Sequence, residues 1–483
     1  MDQRAGAQIS KKAFIQSLLI LFILMMFAGV LTLVIPAGQY ERIEVDDRLV
    51  IDPESFQYVQ DPDYPVWRWF LAPIEVLFYP GGEVILIIIV FLLLVGIAFA
   101  VLDKSGLLRA VLSRIVKTFQ GRKYQLILVV SFFFMIMGAF FGIYEEVVPL
   151  VPLMLGLSYM LGWDALVGLG ISILAVNMGF SAAITNPFTI GVAQKLAGLP
   201  LFSGALFRVV AFIVIYLVFA AFLLRYARKI EKDPESSPVF GEDNVERSHY
   251  AGYKLEEGDA PVNSFRKAIV FFLIFIALIL VILILSPFIP IIAVISMPLV
   301  GLLFFIGGIG ASLIYGARPK LVGKAAMEGL IGISPAIPLV LMAASIRHIV
   351  YMGGILDTIL YQASQPFLNA GPYGAAVLIY ALALFIEFFI ASGSAKAFLL
   401  MPILIPLADL VGVTRQTTVT AYCFGDGFSN LMYPTNPVLL ICLGLATVGY
   451  SKWIRWSFRL WGWVLLITLV FLGIAVAINY GPF

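Results

Sequence analysis

Apolar residues run along this chain in stretches of about 20, the length a bilayer-crossing helix needs. Short polar segments separate them. Ala13–Pro36 is the first such run; it is too long for a signal-peptide core, lacks an A-x-A-type cleavage site and predicts a retained helix. Further spanning helices are predicted near Glu83–Val101, Ala205–Leu224, Ala268–Leu285, Ile289–Ile314, Leu330–Val350 and Trp456–Ile478. Two regions read differently. Tyr124–Gly142 and Val147–Leu161 are parted by Ile143-Tyr144-Glu145-Glu146, and the second run is too short to span, which predicts a re-entrant hairpin. Tyr373–Gly412 predicts a second hairpin, with Ser392-Gly393-Ser394 at its tip.

Two more apolar stretches are interrupted by polar, helix-breaking residues. In Asp164–Leu199, Gly179-Phe180-Ser181 is followed, with three residues between, by Thr185-Asn186-Pro187. In Val413–Val448, Gly427-Phe428-Ser429 is followed, with five residues between, by Thr435-Asn436-Pro437. Irregular backbone at membrane depth is tolerated only where protein encloses it, and a pair of such breaks points to a transporter binding site. Pro suits the first position of a new helix, and Thr and Asn cap it. Each half-helix then aims free N–H groups and a positive dipole end at the break, a seat for a carboxylate. A harmless proline kink is the bland alternative.

Composition changes the class of protein. Of 483 residues, 61% are hydrophobic and 12% charged, against roughly 25% charged in soluble domains, so the chain reads as a polytopic membrane protein in contact with the lipid bilayer. No basic, aromatic-interleaved surface suggests nucleic acid. Cys423 and Cys442 lie in apolar sequence as packing residues.

Charge bias orients the spans, because Lys and Arg collect on the cytoplasmic side. Arg4, Lys11 and Lys12 place the N-terminus inside, and the acidic segment Gly38–Pro80 outside. Gly106–Phe119, carrying Arg109, Arg114 and Lys117 among spaced apolar residues, predicts an interfacial helix. By this bias the two halves are inverted, and Pro152, Gly162 and Thr185 repeat at the separations of Pro402, Gly412 and Thr435. The expected fold is therefore an all-α polytopic membrane protein of two inverted repeats, each with a re-entrant hairpin and a broken transmembrane helix. Its expected divisions are N-terminal scaffold helices (1–123), a first transport unit (124–204), a scaffold helix (205–227) and a cytoplasmic linker (228–267). Scaffold helices (268–372), a second transport unit (373–450) and a C-terminal helix (451–483) follow.

The candidate substrate- or ion-binding residues are Glu145, Glu146, Asn177, Ser181, Thr185, Asn186, Ser392, Gly393, Ser394, Lys396, Asp426, Ser429, Asn430, Thr435 and Asn436. An ionisable group at membrane depth is a site candidate by default. Against this, the Glu pair could reach water or pair with Lys396, and Asp426 could serve only in hydrogen bonding between helices. Arg347 and His348 read as snorkelling side chains near an external end, and Glu387 stays undecided. No catalytic constellation is present: His249 lies in the linker and His348 stands alone, and Gly323-Lys324 lacks phosphate-loop spacing. Neither metal nor cofactor is expected.

Phe141-Gly142-Ile143-Tyr144-Glu145-Glu146 and Ala183-Ile184-Thr185-Asn186-Pro187, with the repeated hairpin and broken helix, resemble the C4-dicarboxylate anaerobic carriers of DcuC/YfcC type, in the ion transporter superfamily. That resemblance implies a bacterial inner-membrane secondary carrier, a homodimer with an elevator-type transport domain. The YfcC-like branch implies basic amino acid exchange. The hairpin tips differ from the Ser-Asn-Thr of sodium-coupled dicarboxylate relatives, reading Gly-Ile-Tyr-Glu and Ser-Gly-Ser. Acids also outnumber Lys396 around the expected cavity, which suits an amino acid whose amine meets them. The leading expectation is thus a carrier for a small carboxylate-bearing metabolite, a basic amino acid or a C4-dicarboxylate, with proton or sodium as coupling ion. A gated channel and a non-transporting receptor are the alternatives.

Overall fold

A computed structural model describes residues 11–45, 48–60, 62–119, 121–242, 262–285 and 289–481. Arg4, His249 and the expected linker's 243–261 lie outside the described residues. Among the described residues, ten helices are long and apolar enough to cross a bilayer, the architecture of a multi-pass membrane protein. Helix dominates because backbone groups in hydrocarbon must be paired within their own segment.

One group of helices packs through small residues. Gly82–Lys104 lies against Pro290–Tyr315 and Pro319–Ile333, and Val262–Leu285 covers Pro290–Tyr315. At this seam a Cβ on Gly329 would sit 2.7 Å from the Gly96 carbonyl oxygen, so the backbones nearly touch. Lys11–Val34 runs along Ala336–Met352, which also carries Trp67–Glu75.

The second group holds the interrupted helices. Lys123–Ile136 continues through 137–141 to a break at 142–144, after which the chain turns back into helix at Val151–Met160. Pro372–Glu387 and Gly393–Leu410 form the other hairpin, broken at 388–392. The first broken helix is helical from Ala165 to Ala182 and again from Pro187 to Leu196; the second comprises Arg415–Ser429 and Pro437–Leu445. Only 17% of the apolar window of Asn263–Leu285 is buried, against 100% for Ala165–Leu196, so the broken helix is central and the former peripheral.

The all-α expectation needs correction. Segment 38–58 carries two antiparallel ribbons, Gly38–Gln39 with Gln57–Tyr58 and Arg42–Val45 with Arg48–Ile51. The segment lies between the helices Lys11–Val34 and Trp67–Glu75, and its β-branched residues pair across a ribbon instead of along a helix. Helix limits also differ. Ala205–Lys232 runs past residue 227, because Arg225–Lys232 are good helix formers, and helix resumes at Val262, inside the expected linker. Residues 233–242 are docked: Val239 is fully buried, Ser237 Oγ donates to Asp164 Oδ2 at 2.6 Å, and Lys452 pairs with Glu242 at 3.3 Å. Helix begins at Pro319 rather than near Leu330 and is interrupted at Ser334-Pro335, where proline lacks the N–H to continue the ladder.

Candidate functional site

Each broken helix ends its first half in the same way. Asn186 Oδ1 accepts from Phe188 N–H at 3.0 Å, and Asn436 Oδ1 accepts from Val438 N–H at 3.0 Å. Each asparagine also reaches back six residues: Asn186 Nδ2 donates to the Phe180 carbonyl and Asn436 Nδ2 to Asn430 Oδ1, at 3.3 and 3.2 Å. Asn with Pro thus serves as cap and first turn of a new helix, as the residue types dictate. Both asparagines are buried.

A break also frees carbonyl oxygens, and neighbouring helices supply donors. Arg208, fully buried on Ala205–Lys232, donates from Nε to Ala183 O and from Nη2 to Ile184 O, both at 2.9 Å. Its Nη1 donates to Ser203 O at 2.9 Å. At the second break Trp453 Nε1 donates to Leu431 O at 2.9 Å and the Tyr450 hydroxyl to Met432 O at 2.5 Å. Thr185 is stitched to the first hairpin, its N–H on Ala139 O at 3.1 Å and its hydroxyl on Phe140 O at 3.0 Å. Gly142, with φ +69°, admits this arrangement: a Cβ there would meet Asn186 Oδ1 at 2.3 Å.

The two Gly-Phe-Ser segments meet. A Cβ on Gly427 would lie 2.5 Å from Ser181 Cα, so the two broken helices cross in near contact. At the second hairpin tip Gly393 lies between Thr189 and Asp426, where a Cβ would meet Thr189 Cγ2 at 2.8 Å and Asp426 Oδ2 at 2.9 Å. The half-helix from Pro187, the second hairpin tip and the second broken helix therefore converge.

The ionisable centre differs from the pairing weighed from sequence. Lys396 does not pair with Glu145 or Glu146; it is fully buried against Glu387 and lies 2.8 Å from Asp426 Oδ1. Glu145 and Glu146 are half-buried at the first hairpin's break, where Glu146 Oε2 accepts from Tyr144 N–H at 3.2 Å. Asn177 is fully buried with both amide atoms unpartnered, and Thr189 Oγ1, Thr435 Oγ1 and the Tyr144 hydroxyl are buried without a well-formed hydrogen bond. Ser181 and Ser429 turn their hydroxyls onto their own helices, at Asn177 O and Gly425 O. Ser392 is exposed and caps Ala395 N–H at 3.4 Å, and Ser394 is half-buried. His348 does not snorkel; it is buried 3.3 Å from Glu75, while Arg347 is exposed.

Arg208 and Thr189 are not among the residues singled out from sequence, and Glu387 is undecided there. Arg208 carried a usable signal, a lone arginine within an apolar run, which is costly in hydrocarbon unless it has partners. Thr189 carried none.

The family described as DcuC, C4-dicarboxylate anaerobic carrier, matches residues 14–477. This chain belongs to that family. The DcuC-family chain is 28% identical over 486 residues to the "Putative basic amino acid antiporter YfcC" of Escherichia coli, covering 94% of each. It is 27% identical over 398 residues to an uncharacterized protein of Haemophilus influenzae, covering 81% of this chain and 75% of the other. Two solved structures align with it at 18% identity and TM-score 0.41. They are the YdaH transporter of Alcanivorax borkumensis, over 96% of this chain and 99% of the other, and MtrF of Neisseria gonorrhoeae, over 94% of each. Membership of a carrier family and the multi-pass helical body make this a protein of a membrane transporter family.

Proposed function

We propose that the chain is a secondary active carrier for a small carboxylate-bearing metabolite, with a basic amino acid taken by exchange as the first choice of cargo. The observation that carries this reading is the pair of buried, Asn-capped helix starts at Pro187 and Pro437, on broken helices that touch at Gly427 and Ser181. The first turn of a helix leaves N–H groups without intrahelical partners, and together with the dipole they favour an anionic group. Unpartnered Asn177, Thr189 and Thr435 would complete the polar contacts of a cargo molecule, since buried polar groups ordinarily find partners. Glu145 and Glu146 would face its amine. The name of the YfcC relative supports amino acid exchange, and the family's name supports the second reading, a C4-dicarboxylate accompanied by cations.

In this reading the halves are inverted repeats, and the hairpins with the broken helices move as an elevator against Gly82–Lys104, Pro290–Tyr315 and Ala336–Met352. The carrier would sit as a homodimer in a bacterial inner membrane, its N-terminus cytoplasmic. Binding alone powers no net uptake; a gradient is coupled when the loaded and empty domains cross more readily than partly loaded ones.

The test is counterflow in proteoliposomes with arginine, ornithine, lysine, succinate and fumarate, under imposed proton and sodium gradients. Saturable uptake with trans-stimulation is expected, abolished by Asn436→Ala and by Glu145→Gln in folded protein. Single-channel currents would replace the carrier with a pore, and binding without flux would leave a receptor.

A further inference from the structure

Glu387, Lys396 and Asp426 come from three elements, the end of Pro372–Glu387, the start of Gly393–Leu410 and the helix Arg415–Ser429. None exposes more than 1% of its side chain. Lys396 Nζ is ion-paired to both carboxylates. The charges do not balance: two anions face one cation. Glu387 Oε1 and Asp426 Oδ2 have no hydrogen-bond partner, and Thr189 Oγ1, also unpartnered and 1% exposed, belongs to the side chain across Gly393 from Asp426.

No other described cation compensates. Arg208 is committed to backbone carbonyls of the first break. The titratable groups facing the cluster are Tyr422, whose hydroxyl donates to Gly393 O, together with Cys423, Tyr144 and Tyr433. All of these are neutral near pH 7 by their ordinary values and bring no positive charge. An uncompensated buried charge costs several kcal/mol, and a single added proton removes it.

We propose that this triad binds the coupling proton, one per cycle, on Asp426 Oδ2 or Glu387 Oε1, with Lys396 as a fixed internal counter-cation. An O–H bond forms on one carboxylate with a proton taken from water on the side to which the site opens. It breaks to water on the opposite side. A proton is favoured over a metal cation because the ammonium already occupies the position between the two carboxylates, and a proton needs only one oxygen. The neutral triad crosses hydrocarbon at far lower cost than the anionic one, so the crossing in one direction follows protonation. The return of the deprotonated triad needs the cationic amine of the exchanged cargo to balance its charge. The assignment rests on the carrier reading, and it places the coupling site in the second half of the chain, apart from Glu145 and Glu146.

Infrared pH-difference spectra of the purified full-length protein test it without knowledge of the cargo. A protonated-carboxyl C=O component of about one group is expected to appear as pH is lowered. It is lost in Glu387→Gln and in Asp426→Asn, retained in Glu145→Gln, and roughly doubled in Lys396→Met, where both acids must be neutral. Lys396→Arg, which keeps the charge, returns it to one group. Persistence of the full component in both Glu387→Gln and Asp426→Asn overturns the proposal, as does its removal by sodium at constant pH. Counterflow on the same preparations separates the two readings: no flux with this band pattern intact sinks only the carrier, whereas flux with an unaltered band in both variants sinks only the proton site.

Discussion

Arg208 shows how one residue holds an irregular backbone at membrane depth. Ala183 is left-handed at φ +45°, a strained conformation for a residue with a Cβ, and the carbonyls of Ala183 and Ile184 leave the helical ladder there. The guanidinium meets both, and its planar fork reaches Ser203 as well, which no lysine could do. Arg208→Met is expected to cost about 2–3 kcal/mol through unsatisfied buried carbonyls, read as a fall in detergent thermal stability. Arg208→Lys should recover only part of it. At the second break the donors are neutral, Tyr450 and Trp453, so loss of either should cost less, about 1 kcal/mol. The asparagine caps were legible in the sequence because Asn-Pro has a local meaning. These donors were not, since each comes from another helix.

At the scale of elements, Asp164 joins three segments. Its Oδ1 accepts from Val167 N–H at 3.0 Å as a helix cap, while Oδ2 accepts from the Tyr226 hydroxyl at 2.5 Å and from Ser237 at 2.6 Å. Asp164→Ala should therefore cost more than the ~1 kcal/mol of a cap alone and should open 233–242 to limited proteolysis. Ser237→Ala should increase that cleavage with little change in thermal stability. A second junction is pH-sensitive. Burial works to raise the Glu75 carboxyl, but hydrogen bonds from Arg68 and His348 outweigh it and hold it below its ordinary value of 4.5. A depressed folded-state value stabilises fully above the unfolded value and is lost as pH falls through the folded one. Hydrogen-exchange protection of Trp67–Glu75, corrected for the intrinsic rate at each pH, should thus be unchanged above about pH 5 and fall on acidification below the usual carboxylate range; Glu75→Gln should remove that dependence. Composition announced neither junction, and residues 233–242 read as linker because their burial depends on partners distant in sequence.

For the whole molecule, the prediction concerns relative motion. Ala336–Met352 contacts the half-helix Pro437–Leu445, while Gly82–Lys104 contacts Pro290–Tyr315 within one group. A cysteine pair linking the first two is expected to stop flux until reduced, and a pair linking the second two to leave it within about twofold, as a moving domain against a fixed one requires. Equal flux under both cross-links would argue for a mechanism without sliding.

The sequence alone determined that the chain spans a membrane many times, where its helices break and that asparagine and proline restart them. Those properties follow from length, hydropathy and backbone chemistry within one segment. Tertiary structure decided which charges meet. Glu387 and Lys396 are near neighbours in the chain, yet Asp426 joins them only when the second broken helix packs on its hairpin, and Thr189 arrives from the other half. Burial of an ion pair is a property of packed surfaces, and hydropathy along a strand of residues holds no record of it.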